Sequence, residues 1–165
     1  MATEIERKFL VTGDAWRQLV EREAFMRQGY FNQPRENGER ASVRIRLAGD
    51  EAFLNIKSAE EGTTRTEFEY GIPVPDAVAM LDELCLQPLI EKVRYWVPWE
   101  GLYFEIDVFQ GRNAGLTVAE LELPTADHVV SLPEWIGREV SDDYRYYNTA
   151  LARRPYDEWT TDAEA

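Results

Sequence analysis

Short segments in which charged and apolar residues alternate recur along the whole chain, and this period of two is typical of β-strands. In the clearest segment, residues 41–47, Val43 and Ile45 share one face and Arg44 and Arg46 share the other. The same alternation predicts further strands over residues 4–11, 25–33, 52–58, 64–72, 89–99, 102–109 and 116–123. About eight strands are therefore expected, many of them joined by short turns.

Three short helices are expected around these strands, over residues 15–23, 75–84 and 141–153. Residues 125–140 are expected to be irregular or briefly helical. Many antiparallel strands with few helices predict an α+β protein whose sheet forms a closed barrel or a sandwich. We expect one domain over residues 1–155 and an acidic C-terminal tail over residues 156–165.

The composition of the chain indicates which class of protein it belongs to. The chain has 165 residues, of which 44% are hydrophobic, and this fits a globular domain with its own core. Charged residues interrupt every apolar stretch, and the start of the sequence lacks the apolar core of a secretory signal. Cys85 is the only cysteine, so no intrachain disulfide can form, and a cytoplasmic location is expected.

The net charge of −13 predicts a surface that repels nucleic acids and anionic membranes, so neither is expected as a partner. Against this acidic background, charges of one sign tend to share a strand face, because side chains at i and i+2 point the same way. Seven bases and eight acids form such rows and leave them close to neutral. The bases are Lys8, Arg44, Arg46, Lys57, Arg65, Lys92 and Arg94, and the acids are Glu4, Glu6, Glu67, Glu69, Glu105, Asp107, Glu120 and Glu122.

Two arrangements fit these rows. A sandwich would bury the apolar faces and expose the charged ones to water. A closed barrel of about eight strands would instead enclose the charges, where acids and bases compensate one another. Segregated signs and near neutrality favour the barrel. Clustered carboxylates bind hard divalent cations, and Arg and Lys bind phosphate oxygens, so an enclosed site of this kind is suited to a metal–polyphosphate complex.

The ordered motifs of the chain resemble those of the CYTH superfamily, the triphosphate tunnel metalloenzymes. The N-terminal Glu4-Ile5-Glu6-Arg7-Lys8 matches the family's ExExK signature. Seven more motifs follow in the family's order, namely Arg27–Tyr30, Val43–Arg46, Ile56–Ser58, Arg65–Glu69, Glu91–Arg94, Phe104–Phe109 and Ala119–Glu122. The likeness covers nearly the whole chain up to Asp143–Tyr146 and is closest to the short bacterial members, which resemble inorganic triphosphatases.

This resemblance implies an eight-stranded antiparallel barrel, or tunnel, with flanking helices and a charged interior. It also implies a phosphohydrolase that uses Mg²⁺ or Mn²⁺ to cleave a linear triphosphate into pyrophosphate and phosphate. The implied catalytic residues are Glu4, Glu6, Lys8, Arg44, Arg46, Lys57, Lys92 and Arg94. The implied substrate contacts are Lys8, Arg44, Arg46, Lys57, Arg65, Lys92, Arg94 and Arg145. The implied metal ligands are Glu4, Glu6, Glu67, Glu69, Asp107, Glu120 and Glu122.

Several functions stay open within this fold. They are nucleoside triphosphatase, thiamine triphosphatase and adenylate cyclase activity, the last disfavoured because no His-Phe pair precedes the ExExK motif. A non-catalytic polyphosphate or nucleotide receptor is a further alternative, although it would have little use for so many acids. A structural barrel with an exposed charged face is a third class. The working state is expected to be a monomer or homodimer that acts on a small-molecule triphosphate.

Overall fold

A single antiparallel sheet closes on itself in the computed structural model, which describes residues 2–59 and 63–159. Its strands are β1 (Ala2–Val11), β2 (Arg22–Tyr30), β3 (Ala41–Ala48), β4 (Glu51–Ser58), β5 (Thr64–Ile72), β6 (Ile90–Trp99), β7 (Leu102–Phe109), β8 (Thr117–Glu122) and β9 (Ile136–Glu139). The strand order is β5-β4-β3-β2-β6-β7-β8-β1-β9, and an additional β5–β1 pairing closes the first eight strands into a barrel. The predicted eight-stranded barrel is thus confirmed.

Strand β1 is the seam of this barrel. Its first residues pair with β5, where Glu4 lies opposite Arg65, and its later residues pair with β8, where Lys8 lies opposite Glu120. The short strand β9 pairs with β1 beyond the end of β5, through Phe9 and its neighbours. Closure places the predicted rows of charged side chains inside, as the barrel interpretation required.

Apolar faces point outward and are covered by the segments between strands. Helix α1 spans Pro34–Asn37, and helix α2 (Val74–Glu83) packs Ala77 and Leu81 against Ile45 of β3. A second apolar cluster joins Phe9, Phe104 and Leu121 of the barrel to Trp16 and Trp135 outside it. The main apolar core therefore lies between the barrel and its covering segments.

One end of the barrel is closed by apolar packing. The strand-end residues Tyr30, Ile90, Phe109 and Val118 continue the inward faces of their strands, two residues beyond Gln28, Lys92, Asp107 and Glu120. These four residues form one buried cluster with the C-terminal segment, including Leu151 of helix α3 (Asn148–Arg153) and Trp159. The charged interior is therefore bounded at this end by α3.

Three local expectations differ from the structure. Residues 15–23 form only a 3₁₀ helix, Ala15–Leu19, because the chain must enter β2 at Arg22. Strand β9 occupies part of the segment expected to be irregular. The last predicted helix is divided into a 3₁₀ turn, Tyr144–Tyr146, and α3.

Two residues just after the expected domain boundary contact the rest of the chain. The backbone N–H of Tyr156 donates to Oδ1 of Asn113 at 2.8 Å, and the Trp159 ring packs against the Tyr146 ring at a centroid distance of 5.1 Å. Trp159 thus packs in the closed end of the barrel, while the boundary at residue 155 stays a prediction. The rest of the predicted tail, residues 160–165, lies outside the described residues. In the described part of the chain, no helix is long and apolar enough to cross a bilayer.

Candidate active site

The inward faces of the strands converge on one cavity of about 260 Å³. Each of the eight barrel strands contributes at least one side chain to it. The predicted site residues that line it are Glu4, Glu6, Lys8, Arg44, Arg46, Lys57, Arg65, Glu67, Glu69, Arg94, Glu120 and Glu122. The acidic and basic rows therefore meet around one space, as the barrel interpretation required and the sandwich did not.

Lys57 joins two acids from neighbouring strands. Its Nζ lies 3.0 Å from Oε1 of Glu4 and 3.5 Å from Oε2 of Glu67. Burial opposes ionisation of Glu67, but a hydrogen bond shared with Glu4 and the charge of Lys57 outweigh burial and lower the pKa of Glu67. One ammonium thus holds two carboxylates close to each other.

Glu6 and Glu120 form a second pair of neighbouring acids in the cavity. Burial, followed by repulsion from Glu120, raises the pKa of Glu6 from 4.5 to about 8, although Arg65 Nη2 lies 3.0 Å from Glu6 Oε1. Burial also opposes ionisation of Glu120, but Lys8, the other nearby cations and a hydrogen bond from Glu6 bring its pKa well below the ordinary value. Burial and the charge of Glu120 thus favour the protonated form of Glu6, while the surrounding cations favour the ionised form of Glu120.

The donor set suits a divalent cation. Oxygen ligands from carboxylates are those that Mg²⁺ and Mn²⁺ prefer, and a dication would offset the repulsion between Glu6 and Glu120. Glu122 adds to this acidic group, and burial together with the nearby Glu4 raises its pKa. Over residues 2–59 and 63–159, no three acidic, His or Cys side chains are gathered closely enough to hold a metal ion by themselves. Mg²⁺ usually takes one or two carboxylates and completes its ligands with water and substrate phosphates.

Two arginines of β3 face the cavity with incomplete pairing. Arg44 is 7% exposed, its Nη2 lies 3.8 Å from Oε2 of Glu69, and its buried Nε has no partner among the described residues. Burial and repulsion from Arg44 and Arg94 lower the pKa of Arg46 to about 9. A bound anion would supply an acceptor for Arg44 Nε and a negative charge beside Arg46.

Lys92 and Asp107 lie beneath the cavity wall and do not line it. Asp107 is 1% exposed, and its Oδ2 lies 2.7 Å from Lys92 Nζ, while its Oδ1 accepts from Arg94 Nε at 2.7 Å. Burial and the neighbouring Arg94 lower the pKa of Lys92 to about 7 despite this contact with Asp107. Both carboxylate oxygens of Asp107 accept hydrogen bonds from these bases. The structure places neither the predicted metal ligand Asp107 nor the predicted phosphate contact Lys92 in the cavity lining, and both roles stay predictions.

Arg145, which is predicted to contact the substrate, does not line this cavity. Its Nε and Nη2 donate to the two carboxylate oxygens of Asp143 at 3.0 and 2.7 Å, and its guanidinium lies 5.1 Å from the ring of Trp159. It lines a separate surface pocket with Asp143 and Glu139. The side chain is therefore part of the outer packing of the C-terminal segment.

The cavity lining also includes several neutral residues, which the charge pattern did not select. Ser42 and Asn55 precede Arg44 and Lys57 by two residues, so the strand period could have found them. Asn148 and Thr149 come from α3, whose position no strand period predicts. Tyr30 lines the cavity and also packs in the closed end. Glu105 pairs with Arg94 Nη1 at 2.9 Å, as expected for an acid beside an interior base.

Comparison with known proteins gives consistent matches. The sequence profile of the CYTH domain matches residues 2–156. A protein of Acetivibrio thermocellus named inorganic triphosphatase is 44% identical over 156 residues, which cover 94% of this chain and 97% of that protein. An inorganic triphosphatase of Nitrosomonas europaea is 39% identical over 154 residues, covering 91% of this chain and 97% of its own.

Solved structures agree in fold. The crystal structure of the inorganic triphosphatase NE1496 aligns with a TM-score of 0.63 at 34% identity, over 92% of this chain and 95% of that chain. A protein from Hippeastrum, described as a putative adenylyl cyclase with a dominant triphosphatase activity, aligns with a TM-score of 0.57. Its 20% identity over 74% of this chain and 80% of that chain supports a shared fold only.

Proposed function

Because this chain belongs to the CYTH domain family, we propose that it is a metal-dependent phosphohydrolase that cleaves inorganic triphosphate into pyrophosphate and orthophosphate. The observation that carries the proposal is the cavity itself, where bases and carboxylates from the barrel strands face one enclosed space and the buried Nε of Arg44 has no partner among the described residues. Such a site can take up a polyanion together with a cation without placing unpaired charge in a buried space.

The bases would bind the substrate. Arg44, Arg46 and Arg94 present guanidinium groups, which match pairs of phosphate oxygens, while Lys8 and Lys57 present point charges. Fixed positive charge around the transferred phosphoryl group stabilises the charge that shifts toward the leaving pyrophosphate. Lys92, which lies beneath the cavity wall, would add positive charge behind Arg94 and would contact Asp107.

The acids would hold the metal, for which we propose Mg²⁺ or Mn²⁺. Its donors would come from Glu4, Glu6, Glu67, Glu120 and Glu122, with Glu69 at the edge of the group. Bound there, the ion supplies Lewis acidity toward phosphate oxygens and activates water. The protein walls orient the triphosphate and limit its contact with bulk water.

The lining favours an inorganic substrate over one with an organic group. Its side chains are Glu, Lys, Arg, Ser, Thr, Asn and Tyr, and no aliphatic residue of the described chain lines this cavity. Pockets for organic ligands are usually lined mainly by apolar side chains. The two relatives named inorganic triphosphatase agree with this preference. Nucleoside and thiamine triphosphates remain the alternatives that a substrate panel must include.

The experiment measures phosphate release from inorganic triphosphate, ATP and thiamine triphosphate, each with Mg²⁺, with Mn²⁺ and with EDTA. We expect metal-dependent turnover, fastest with inorganic triphosphate. Glu6→Ala and Arg46→Ala should abolish it without changing the circular dichroism spectrum. Arg7→Ala is the matched control, because Arg7 follows Glu6 on β1 but points outward and pairs with Glu139 at 2.8 Å.

The outcomes separate the candidate functions. Tight binding of triphosphate without turnover in any metal would favour a receptor, and neither binding nor turnover would favour a structural barrel. Faster turnover of ATP or thiamine triphosphate would assign an organic substrate to the same site. The proposal also includes a cytoplasmic setting, which the single cysteine favours, and a monomer or homodimer as the working state.

A further inference from the structure

Gln28 is a fully buried amide at the base of the charged interior. It lies on β2 directly opposite Arg46 of β3, and its side chain is 0% exposed. Its Oε1 accepts a hydrogen bond from Arg46 Nε at 3.0 Å, and its Nε2 donates to the hydroxyl of Tyr30 at 3.2 Å. The amide therefore bridges a cavity arginine and the closed end of the barrel.

The chemistry of Arg46 settles the orientation of this amide. An arginine Nε–H can only donate, so the oxygen of Gln28 must face it and the NH₂ group must face Tyr30. The Tyr30 hydroxyl then accepts from Gln28. Both hydrogen bonds of the amide are thus defined by their partners, and they fix the direction in which the Arg46 guanidinium points.

Arg46 differs from the other cations that line the cavity. Among the described residues each of the others has a carboxylate within ion-pair distance, whereas Arg46 has none. The pairs are Lys8–Glu120 at 3.9 Å, Arg44–Glu69 at 3.8 Å, Lys57–Glu4 at 3.0 Å, Arg65–Glu6 at 3.0 Å and Arg94–Asp107 at 2.7 Å. A neutral partner orients Arg46 without cancelling its charge.

We propose that Gln28 is a positioning residue for triphosphate binding, which aims Arg46 at the substrate while leaving its positive charge uncompensated. A carboxylate in the same place would orient the guanidinium equally well but would compete with the phosphate for its charge. The amide instead occupies Nε only, so the remaining N–H groups of Arg46 stay available to an anion. This inference rests on the proposed function, because it takes inorganic triphosphate as the ligand of the cavity.

A double-mutant cycle tests whether Gln28 acts through Arg46. Binding of inorganic triphosphate is measured by calorimetry in EDTA for the wild type, Gln28→Leu, Arg46→Ala and the double variant. Gln28→Leu keeps the side-chain volume but removes both hydrogen bonds, and we expect it to weaken binding about tenfold. In the Arg46→Ala background the same change should matter less than about twofold. An equal loss in both backgrounds, or no loss beside native Arg46, would overturn the inference.

Gln28→Glu tests the charge argument and serves also if Gln28→Leu fails to fold. It retains an acceptor for Arg46 Nε but adds a carboxyl group. We expect binding weaker than wild type near pH 8, with the ratio to wild type recovering toward about pH 5 as the introduced carboxyl takes up a proton. A purely structural role would leave that ratio independent of pH, and this outcome would contradict the proposal.

The two proposals can fail separately. A wild type that binds triphosphate and shows the coupling, but releases no phosphate with either metal, would overturn the hydrolase proposal only. A wild type that turns over triphosphate while the cycle shows no coupling would overturn the role of Gln28 only. A wild type that binds no triphosphate in EDTA or with metal would overturn both.

Discussion

Asp107 holds Arg94 with both of its carboxylate oxygens. Arg94 Nε donates to Oδ1 at 2.7 Å and Nη2 donates to Oδ2 at 2.9 Å, while the same Oδ2 accepts from Lys92 Nζ. All three side chains are buried. One carboxylate thus contacts two of the bases predicted to bind substrate and holds both in place.

The first prediction concerns the buried contacts of Asp107 with Arg94 and Lys92. Asp107→Asn removes the carboxylate that pairs with Lys92 and one of the two that pair with Arg94 in a buried space, so the free energy of unfolding should fall by about 3–5 kcal/mol. Urea denaturation in EDTA measures this loss. Glu105→Gln is the control, because Glu105 also contacts Arg94 but is partly exposed and should cost about 1 kcal/mol or less. If Asp107→Asn instead kept full stability and lost metal binding, Asp107 would be a metal ligand.

The case of Asp107 shows which part of the site the sequence could predict. The period of two places Glu105 and Asp107 on the inner face of β7, and this is a local property of the chain. How deep each residue lies depends on the stagger of neighbouring strands and on the segment that closes the barrel. Those are tertiary features. The sequence therefore predicted that both side chains face the interior, but it did not predict which of them lines the cavity and which lies buried beneath it.

The same reasoning explains which parts of the fold were missed. Eight strands follow from alternation, but β9 has four residues, too few for a clear pattern. Trp159 looked like part of an acidic tail because its sequence neighbours are Asp157 and Glu158. Its burial depends on Tyr146 and Tyr156, with which its ring packs. Contacts of this kind have no local signature.

The second prediction concerns pH in metal-free protein. The pKa of Glu6 rises from 4.5 to about 8 on folding, because of burial and then of repulsion from Glu120. Between these values the folded protein binds more protons than the unfolded chain, so this group lowers stability as pH rises and its full penalty is reached above about pH 8. Glu6→Gln removes the penalty. The stability of the variant relative to wild type should therefore increase from about pH 5.5 to 8.5, by up to a few kcal/mol.

Urea denaturation in EDTA at the two pH values measures this difference. Glu139→Gln is the control, because Glu139 lies outside the barrel and its hydrogen bond with Arg7 lowers its pKa, so it stays ionised over the whole interval. Its effect should be independent of pH there. A Glu6→Gln effect that is equally flat would contradict the raised pKa of Glu6.

The third prediction concerns close packing at Gly29, which follows Gln28 on β2 and faces outward. A Cβ added at Gly29 would lie 2.6 Å from Leu89 Cδ2 and 2.8 Å from Cys85 Cβ. Gly29→Ala should therefore lower the free energy of unfolding by about 1–3 kcal/mol. Gly71→Ala is the matched control, since it also lies in a strand but a Cβ there meets no atom within 4 Å. Equal thermal denaturation midpoints for the two variants would show that the approach at Gly29 is not tight.

The fourth prediction tests the closed end of the barrel. Trp159→Ala removes a buried ring that packs against Tyr146, whose backbone carbonyl accepts a hydrogen bond from Lys8 Nζ at 3.2 Å. We expect the free energy of unfolding to fall by about 3 kcal/mol or more, measured in urea. We also expect kcat/KM for inorganic triphosphate to fall, because Lys8 lines the cavity and depends on this support.

Glu158→Ala is the control for this variant, because it removes only an exposed ion pair with Arg112 at 2.7 Å and should change stability by less than about 1 kcal/mol. If Trp159→Ala were as stable as Glu158→Ala, the C-terminal segment would be dispensable and the domain would end at residue 155, as the sequence suggested. A loss of stability without any change in kcat/KM would instead show that the cavity keeps Lys8 in place without the packing around Trp159. The two measurements together therefore separate a segment that only completes the core from one that also shapes the site.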